Sequence, residues 1–529
     1  MTSRICQIEA RSRRAESLGC YGHPTSITPN YDRFARQATR FEQAHTSHTV
    51  CSQSRAAFMT GWPTHVHGHR TLSYLLHGSE PNLLKTLKRA GYTVVWWGKN
   101  DLLARDAWEE SVTQRPIKRG DDNGRNPFAT DDPRYKTMLR DPPTGGLNGS
   151  RDYARVAAAV TWLRTRAVQP FVLFLPLEKP HPPYSCPEPF HSSVSAETLP
   201  PLRPRAPRHG REPDYRELIR RYRSLGSVSD AFLRELHAVY LGCVSFSDFL
   251  FGLVLRAVDD SPALKASTSV LVFSDHGGYA GDYGLVEKWP SGLEDVLTRV
   301  PLLVRTPGGS AGVVSEPIQL FDIVPTLLEL AGVPAEHVHF GSSFLPQLHG
   351  APAEVGRAVF AEGGFGTHEP RSHEGYGGMP SEFSDYYPKV AQQQSYPLSV
   401  CRAVSVRTAH HKLVLRSDPS VADESLVHEL YDLRDDPLEL SNLYGEVNMS
   451  AITAELRSRL LRWYIQTSDT APRRMDPRDG DYEWPQPYAA RTARTEGAAR
   501  TARTEDIAVV AVGTMLMLLG CGWTRLRGK

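Results

Sequence analysis

Residues 51–61 read CSQSRAAFMTG and place a thiol, two hydroxyls and a guanidinium within five positions. The run after Arg55 is compatible with a short helix, and Gly61 suits the residue that ends one. A helix N-terminus offers free N–H groups and a positive dipole, and the fork of an arginine matches a tetrahedral anion. Taken alone, the competing interpretation is a buried cysteine beside a surface arginine. The stretch therefore predicts a helix that begins near Cys51 and holds an anion at that end.

Around this stretch, short apolar runs alternate with amphipathic segments from about residue 80 to residue 335. This alternation is typical of an α/β sheet with both faces covered. In such sheets the functional loops gather at the carboxyl ends of the strands. The predicted strands are 93–97, 171–175, 269–273 and 300–305, and the predicted helices are 82–90, 153–167, 232–258 and 323–331.

Polar residues follow three of these predicted strands directly. Lys99 comes after 93–97, His181 lies in a proline-rich loop after 171–175, and Asp275 with His276 comes after 269–273. A carboxylate oxygen at a strand end suits a divalent cation such as Ca²⁺ or Mg²⁺. The pKa range of histidine suits general acid catalysis. For Asp275 and His276 the alternative is a turn aspartate beside a histidine whose hydrogen bonds are satisfied.

Several short motifs occur in the order in which the sulfatase family has them, from about residue 15 to residue 465. Residues 51–61 resemble the signature Cys-x-Pro-Ser-Arg followed by a short helix and Thr-Gly. The resemblance implies an alkaline-phosphatase-like α/β sandwich with a mixed, mostly parallel central sheet and a smaller C-terminal antiparallel subdomain. The other matching motifs are Gly98-Lys99, Pro180-His181-x-Pro183, Ser274-Asp275-His276-Gly277, Gly284-x-x-x-Lys288, Arg299-Val300-Pro301-Leu302 and Leu430-Tyr431-Asp432-Leu433.

The resemblance also implies a chemistry, that of a sulfuric ester hydrolase. A formylglycine-generating enzyme would oxidise Cys51 to formylglycine, whose hydrate attacks the sulfur of a sulfated small molecule or glycan. In this scheme His181 assists the leaving group. The charges of the hydrate and the sulfate are held by Arg55, Lys99 and Lys288. The predicted ligands of Ca²⁺, with Mg²⁺ as the alternative, are Asp275, His276 and Cys51.

The sequence departs from the family pattern in three places. Gln53 stands where the signature has Pro, a residue that the converting enzyme reads. Asp101 stands where Gly-Lys-x-His has its His, and we expect it to bond a different polar group of the substrate, with a cap of the next turn as the alternative. The cluster HVHGHR is interpreted as a surface loop, with the alternative that His69 and Arg70 line the cleft and bind the substrate.

The third departure concerns two aspartates that bind the cation in the family, just before the stretch Ser-Leu-Gly-Cys-Tyr-Gly. Counting back from that stretch gives Ser12 and Arg13, or Arg11 and Ser12. Residues 1–10 are polar and broken, so the sequence predicts that the first strand of the domain is missing. Two other functions therefore stay open: a phosphodiester or phosphonate hydrolase of the same superfamily, and a catalytically impaired sulfatase-like protein that binds sulfated glycans.

The predicted domains are a catalytic domain over 1–345, an antiparallel subdomain over 346–470 and a tail over 471–529. The subdomain contains the predicted strands 403–406, 412–415 and 430–433, the helix 451–465 and a long loop at 363–396. The tail repeats AARTARTE and ends in an apolar segment, 507–523, which predicts a contact with a membrane, with an unstructured tail as the alternative.

The composition narrows the class of protein further. A net charge of +2 gives no indication of a nucleic-acid partner. Seven scattered cysteines without a Cys-x-x-Cys pair argue against a zinc ribbon or a disulfide framework. The first residues lack the apolar run of a signal peptide, so the localisation is left open.

Overall fold

The computed structural model describes residues 4–115, 126–165, 167, 170–366, 369 and 379–470. All of them lie within one compact unit, Met1–Tyr482. The predicted tail over 471–529, including the apolar segment 507–523, lies outside the described residues. The division of the chain at residue 345 stays a prediction.

A central sheet of eight strands forms the middle of the molecule, in the order β3-β4-β1-β5-β6-β2-β7, with β8 also pairing with β2. Strand β6 runs antiparallel to both of its neighbours, and the other pairings are parallel. The sheet is therefore mixed and mostly parallel, as expected. Its strands are β1 (Arg4–Ala10), β2 (Thr39–His45), β3 (Thr93–Trp96), β4 (Phe171–Leu177), β5 (Thr268–Ser274), β6 (Arg299–Arg305), β7 (Gly312–Val314) and β8 (Ile318–Gln319).

The prediction that the first strand is missing is wrong. Strand β1 lies between β4 and β5 and is buried along its whole length. The apolar pattern of this strand is interrupted by Gln7 and Glu9, which are both fully buried. Because a central parallel strand usually reads as a continuous apolar run, two buried polar residues hid it in the sequence.

Helices cover both faces of this sheet and enclose two apolar cores. One core joins α7 and α9 to residues such as Ile8 and Leu173, and the other joins α2, α4 and α12 to residues such as Ile5 and Val172. The helices are α1 (Pro29–Ala35), α2 (Cys51–Thr60), α3 (Thr64–His67), α4 (Leu83–Arg89), α5 (Trp108–Ser111), α6 (Pro133–Thr137), α7 (Arg151–Thr165), α8 (Asp214–Tyr222), α9 (Asp230–Asp259), α10 (Pro262–Lys265), α11 (Asp295–Thr298), α12 (Ile323–Ala331), α13 (Leu345–Leu348), α14 (Tyr387–Ser395) and α15 (Ser450–Thr467).

Helix α9 is the one described helix that is long and apolar enough to cross a membrane. Most of its apolar stretch is buried inside the protein, where it packs against α7 and α1. This burial is typical of a core helix.

The C-terminal part of the described chain forms a second, antiparallel sheet in the order β12-β11-β10-β9, as predicted. Its strands are β9 (Val359–Gly363), β10 (Arg402–Arg407), β11 (His411–Ser417) and β12 (Glu429–Asp432). Leu456, Leu460 and Trp463 of α15 pack on one face of this sheet.

The predicted long loop over 363–396 is corrected in part, because α14 occupies its last third. Pro388 lies in the first turn of the helix, where a missing N–H costs nothing. The buried face of the helix includes Gln392 and Gln393, whose polarity concealed the helix in the sequence. Residues 367–368 and 370–378 of this segment lie outside the described residues.

Candidate active site

The carboxyl ends of four neighbouring strands, β3, β4, β1 and β5, bring the polar side chains together. Ala10 of β1 pairs with Ser274 of β5, so Arg11 and Asp275 leave the sheet side by side. Lys99 follows β3 at the same edge, and its backbone N–H donates to the carbonyl of Pro176 in β4 at 3.1 Å. Lys99 and Asp275 therefore lie at the carboxyl ends of the strands, where the sequence predicted them.

Gly98 makes the close approach of β3 and β4 possible at this edge. A Cβ atom built at Gly98 would lie 2.3 Å from the carbonyl oxygen of Pro176. No larger residue fits here without moving one of the two strands, so Gly98 fixes where Lys99 enters the site.

Cys51 is the first residue of α2, a helix that is buried throughout. Gly61 ends the helix with a left-handed backbone (φ 74°), as the sequence predicted. Arg11 Nη2 donates to Cys51 Sγ at 2.7 Å, and His276 Nε2 lies 3.1 Å from the same sulfur. His276 Nδ1 lies 2.7 Å from the carbonyl oxygen of Gly277, which can only accept. Nδ1 therefore carries a proton, and Nε2 is left to accept the proton of the thiol.

The charges around Cys51 favour its ionised form. Burial opposes ionisation of the thiol, but the charges of Arg11 and Lys288, together with that of His276 once it holds the proton of the thiol, outweigh it and lower the pKa of Cys51 to about 6. The atom at this position therefore lies in a field that stabilises negative charge.

Arg55 holds several parts of the site together from a fully buried position. Its guanidinium lies 2.6 Å from Glu9 of β1, 3.5 Å from Asp275 Oδ2 and 3.1 Å from the carbonyl oxygen of Lys99, to which it donates. Glu9 was missed by the sequence analysis because it lies in the strand that was overlooked. These three contacts of Arg55 join α2 to three strand ends, and its predicted catalytic role stays a prediction.

Arg11 contacts Cys51 together with His276, but it was not among the predicted site residues. Its Nη2 lies 3.0 Å from Asp101 Oδ2, and its Nε lies 3.9 Å from Asp275 Oδ2. Counting back from the Ser-Leu-Gly-Cys-Tyr-Gly stretch gave Arg11 as one of two choices. The structure brings Arg11 to Cys51, whereas Arg13 donates to the carbonyl oxygen of Phe273 at 3.1 Å.

Besides its ion pair with Arg11, the carboxylate of Asp101 has a second one, since Lys99 Nζ lies 3.7 Å from its Oδ1. Burial opposes ionisation of Asp101, but Arg11 and Lys99 outweigh it and hold the pKa of the carboxyl well below its usual range. About a third of the Lys99 side chain is exposed, which makes it the most open of these groups. Lys99 and Asp101 therefore mark the side from which a ligand reaches Cys51.

His181 and Lys288 form a buried pair beside this group. Lys288 Nζ lies 3.0 Å from His181 Nε2, and His181 Nδ1 lies 2.6 Å from the carbonyl oxygen of Pro182. Burial, Arg11 and Lys288 lower the pKa of His181 well below its ordinary value. His181 is thus neutral and its Nε2 accepts from Lys288.

Glu287 balances the charge of this pair from the other side. It lies 2.9 Å from Lys288 Nζ and 3.0 Å from the Nζ of Lys389, which comes from α14. Both residues were missed, Lys389 because its segment was predicted to be a loop.

The side chains of His69 and Arg70 contact Tyr74, Glu80 and Glu369. His69 bonds the carbonyl oxygen of Tyr74 and the carboxylate of Glu80, each at 2.9 Å. Arg70 pairs with the carboxylate of Glu369. These contacts hold the segment after α3 in place, and a role of either residue in substrate binding stays a prediction.

The predicted metal ligands do come together, but they do not fit a divalent cation in this arrangement. Among the described residues, Cys51, Asp275 and His276 form the group whose ligand atoms all lie within 4.8 Å of one another. Ca²⁺ takes about six to eight oxygen ligands, and this group supplies one carboxylate. Oδ1 of that carboxylate already accepts backbone N–H groups from Ser12 and His276, at 3.3 and 2.9 Å. The guanidinium of Arg11 lies among the same three residues and would repel the ion.

Comparisons with known proteins agree with this description of the fold and the motifs. The sequence profile of the Sulfatase family matches residues 10–333. The uncharacterized sulfatase YidJ of Escherichia coli K12 is 25% identical over 481 residues, with 85% of each chain covered. Iduronate 2-sulfatase of Mus musculus is 25% identical over 510 residues, which cover 83% of this chain and 91% of the relative.

A solved structure gives the same fold. The phosphonate monoester hydrolase of Agrobacterium radiobacter superposes with a TM-score of 0.71 at 20% identity, over 88% of this chain and 96% of that one. The two-sheet α/β architecture is thus shared with this structure. Because the family profile covers more than half of the sequence, from the end of β1 to just beyond α12, the chain belongs to the sulfatase family.

Proposed function

We propose that the protein is a sulfuric ester hydrolase whose nucleophile is formylglycine made from Cys51. The observation that supports this most directly is the position of Cys51 Sγ, held between Arg11 Nη2 and His276 Nε2 at 2.7 and 3.1 Å. The sulfur marks where a hydroxyl oxygen of the converted residue would lie. An atom there is surrounded by groups that take up a proton and stabilise an anion.

The residues around position 51 can carry out the proton transfers of such a reaction. Formylglycine would supply a geminal diol, one hydroxyl of which can attack sulfur while the other later helps to expel sulfate. His276 Nε2 is placed to take the proton of a hydroxyl at the position of Sγ. The gain of a proton makes His276 a cation, which then stabilises the charge that develops at position 51.

The leaving oxygen needs a proton, and the pair of Lys288 and His181 provides one. Since His181 is neutral and accepts from Lys288, the proton shared between Lys288 Nζ and His181 Nε2 is the one available to the departing alkoxide. Lys99, at the open side of the site, is placed to hold the sulfate oxygens electrostatically. In this proposal the predicted assistance of His181 to the leaving group is shared with Lys288.

The proposed substrate is a sulfated small molecule or a sulfated glycan, and the proposed partner is a formylglycine-generating enzyme. A divalent cation takes no part in the steps above, because the residues present do not fit one. The positively charged side chains of the site would also attract a phosphodiester or a phosphonate. Hydrolysis of such a phosphorus ester is therefore a second activity that the test can reveal.

The test is made on protein that is co-expressed with a formylglycine-generating enzyme. Mass spectrometry of the peptide with Cys51 measures conversion, and rates are then compared on an aryl sulfate, an aryl phosphodiester and an aryl phosphonate. We expect conversion, the highest kcat/KM on the sulfate, and a loss of at least about 1,000-fold in C51A. Faster cleavage of a phosphorus ester would favour the second activity. Converted protein without activity on any of them would indicate the impaired, glycan-binding alternative.

A further inference from the structure

Arg11 places a permanent positive charge at the centre of the site, directly after β1. Its side chain is buried and touches Cys51, Asp101 and Asp275, at 2.7, 3.0 and 3.9 Å. A buried guanidinium is retained only where anionic partners compensate its desolvation. The contacts with two carboxylates and with the sulfur of Cys51 meet that condition.

The carboxylate of Asp275 is shared between backbone N–H groups and guanidinium groups. Its Oδ1 accepts from the backbone, and its Oδ2 has no close hydrogen bond. That oxygen instead faces Arg55 Nε at 3.5 Å and Arg11 Nε at 3.9 Å. The cationic neighbours of this oxygen are thus side chains of the protein itself.

Two departures of the sequence from the family pattern meet in one ion pair. Arg11 occupies one of the positions where an aspartate is expected, and Asp101 occupies the position where a histidine is expected. In the structure Arg11 Nη2 lies 3.0 Å from Asp101 Oδ2. A buried pair in which the two unexpected charges are of opposite sign and in contact indicates a built arrangement, since an arginine at position 11 beside the expected histidine at position 101 would lack its nearest carboxylate.

We propose that the guanidinium of Arg11 takes the place of the divalent cation, so that the site is complete without a metal ion. Arg11 then stabilises the negative charge at position 51, and Asp101 holds the guanidinium in place. This inference concerns the same site as the proposed function, but metal binding can be measured without turnover. The two proposals can therefore fail separately.

The first test uses the purified full chain with Ca²⁺ and Mg²⁺ as the probes. After gel filtration we expect no stoichiometric Ca²⁺ or Mg²⁺ by elemental mass spectrometry, and identical melting temperatures in EDTA and in CaCl₂. One bound equivalent of either ion, or a melting temperature that EDTA lowers, would overturn the inference. These measurements on the unchanged protein decide the question even where a variant fails to fold.

The second test restores the carboxylate. R11D, and R11D/D101H as a variant with a smaller change in charge, should bind Ca²⁺ at least about 100-fold more tightly than the unchanged protein, because a repelling charge becomes an attracting one. R462D makes the same change in charge on the exposed side of α15 and should gain no Ca²⁺ affinity. Folded variants of Arg11 that gain none would contradict the proposed position of the cation.

Activity separates this inference from the proposed function. Converted protein whose sulfatase activity is abolished by EDTA would overturn the inference and leave the function standing. Converted, metal-free protein without sulfatase activity would overturn the function alone.

Discussion

At the scale of single residues, the thiol of Cys51 lies in a site built for negative charge. Arg11 donates to it, and Lys288 adds a second positive charge close by. The same field that favours a thiolate in the unconverted protein favours the oxyanion of a converted residue. The ionisation of Cys51 is therefore a probe of the site that needs no substrate.

The first prediction follows from this ionisation and applies to protein expressed without the converting enzyme. Folding lowers the pKa of Cys51 from 9.0 to about 6. A lowered pKa contributes stability that is fully present above the unfolded value and is lost as the pH falls through the folded value. The stability advantage of the unconverted protein over C51S should therefore grow between pH 6 and pH 9, by up to about 4 kcal/mol.

Melting temperatures of the two proteins across this pH range measure the effect. The comparison with C51S cancels the titration of groups that do not interact with Cys51, so the remaining dependence on pH reports on position 51 and its neighbours. A difference in melting temperature between the two proteins that does not change with pH would show that the positive charges around position 51 stabilise the thiolate less than the contacts indicate.

The second prediction concerns Lys288 and the proton that it shares with His181. K288A should slow cleavage of an alkyl sulfate by about 100-fold to 10,000-fold, since an alkoxide leaves poorly without a proton. Cleavage of a nitrophenyl sulfate should suffer much less, because its leaving group needs no proton. K265A, an exposed lysine at the end of α10, is the matched control. An equal loss on both substrates would show that Lys288 holds the sulfate rather than supplying a proton.

At the scale of elements, the site depends on how closely β5 and its neighbours approach one another. Gly277 follows His276 directly, and its N–H donates to the carbonyl of Leu297 at 2.8 Å. A Cβ atom at Gly277 would lie 1.9 Å from the carbonyl oxygen of Val296. A side chain here would thus push the end of β5 away from α11, together with Asp275 and His276.

The third prediction follows from this contact. G277A should lower the free energy of unfolding by about 1–3 kcal/mol, as overpacking does, and should reduce activity because His276 moves relative to position 51. G226A is the control, since a Cβ atom there meets nothing within 4 Å. Urea denaturation measures both variants. A G277A protein as stable as G226A would mean that the loop yields without disturbing the strand end.

The elements also show what the sequence could predict and why the rest was hidden. Strand β4 and helix α12 were predicted within two residues of their observed ends, because β4 is a continuous apolar run and α12 is a mostly apolar run that Gly332 ends. Strand β1 and helix α14 were missed because buried polar residues interrupt the periodicity on which the prediction depends.

Prediction of the site residues from the sequence is limited in the same way. The motif residues at the strand ends could be placed at one edge of the sheet from the sequence. Arg11 could not, because its neighbours are fixed by the pairing of Ala10 with Ser274, which belongs to a strand that was overlooked. Glu9 and Lys389 were missed for the same physical reason, since each lies in an unrecognised element.

At the scale of the whole molecule, the described residues form one compact unit that ends before the apolar tail. This unit, Met1–Tyr482, contains both sheets and their apolar cores. The segment 507–523 is followed by Arg525, Arg527 and Lys529, a combination that predicts binding to an anionic membrane surface.

The fourth prediction separates the compact unit from the tail. A variant that ends at Tyr482 should keep the melting temperature of the full chain, because the cores described above lie entirely within it. The full chain should float with vesicles of phosphatidylcholine and phosphatidylglycerol, whereas the shortened variant should stay in solution. L516K, which places a charge in the middle of the apolar segment, should weaken flotation without changing the melting temperature. A shortened variant that melts earlier would show that the tail supports the fold, and a full chain that ignores the vesicles would show that the apolar segment is no membrane contact.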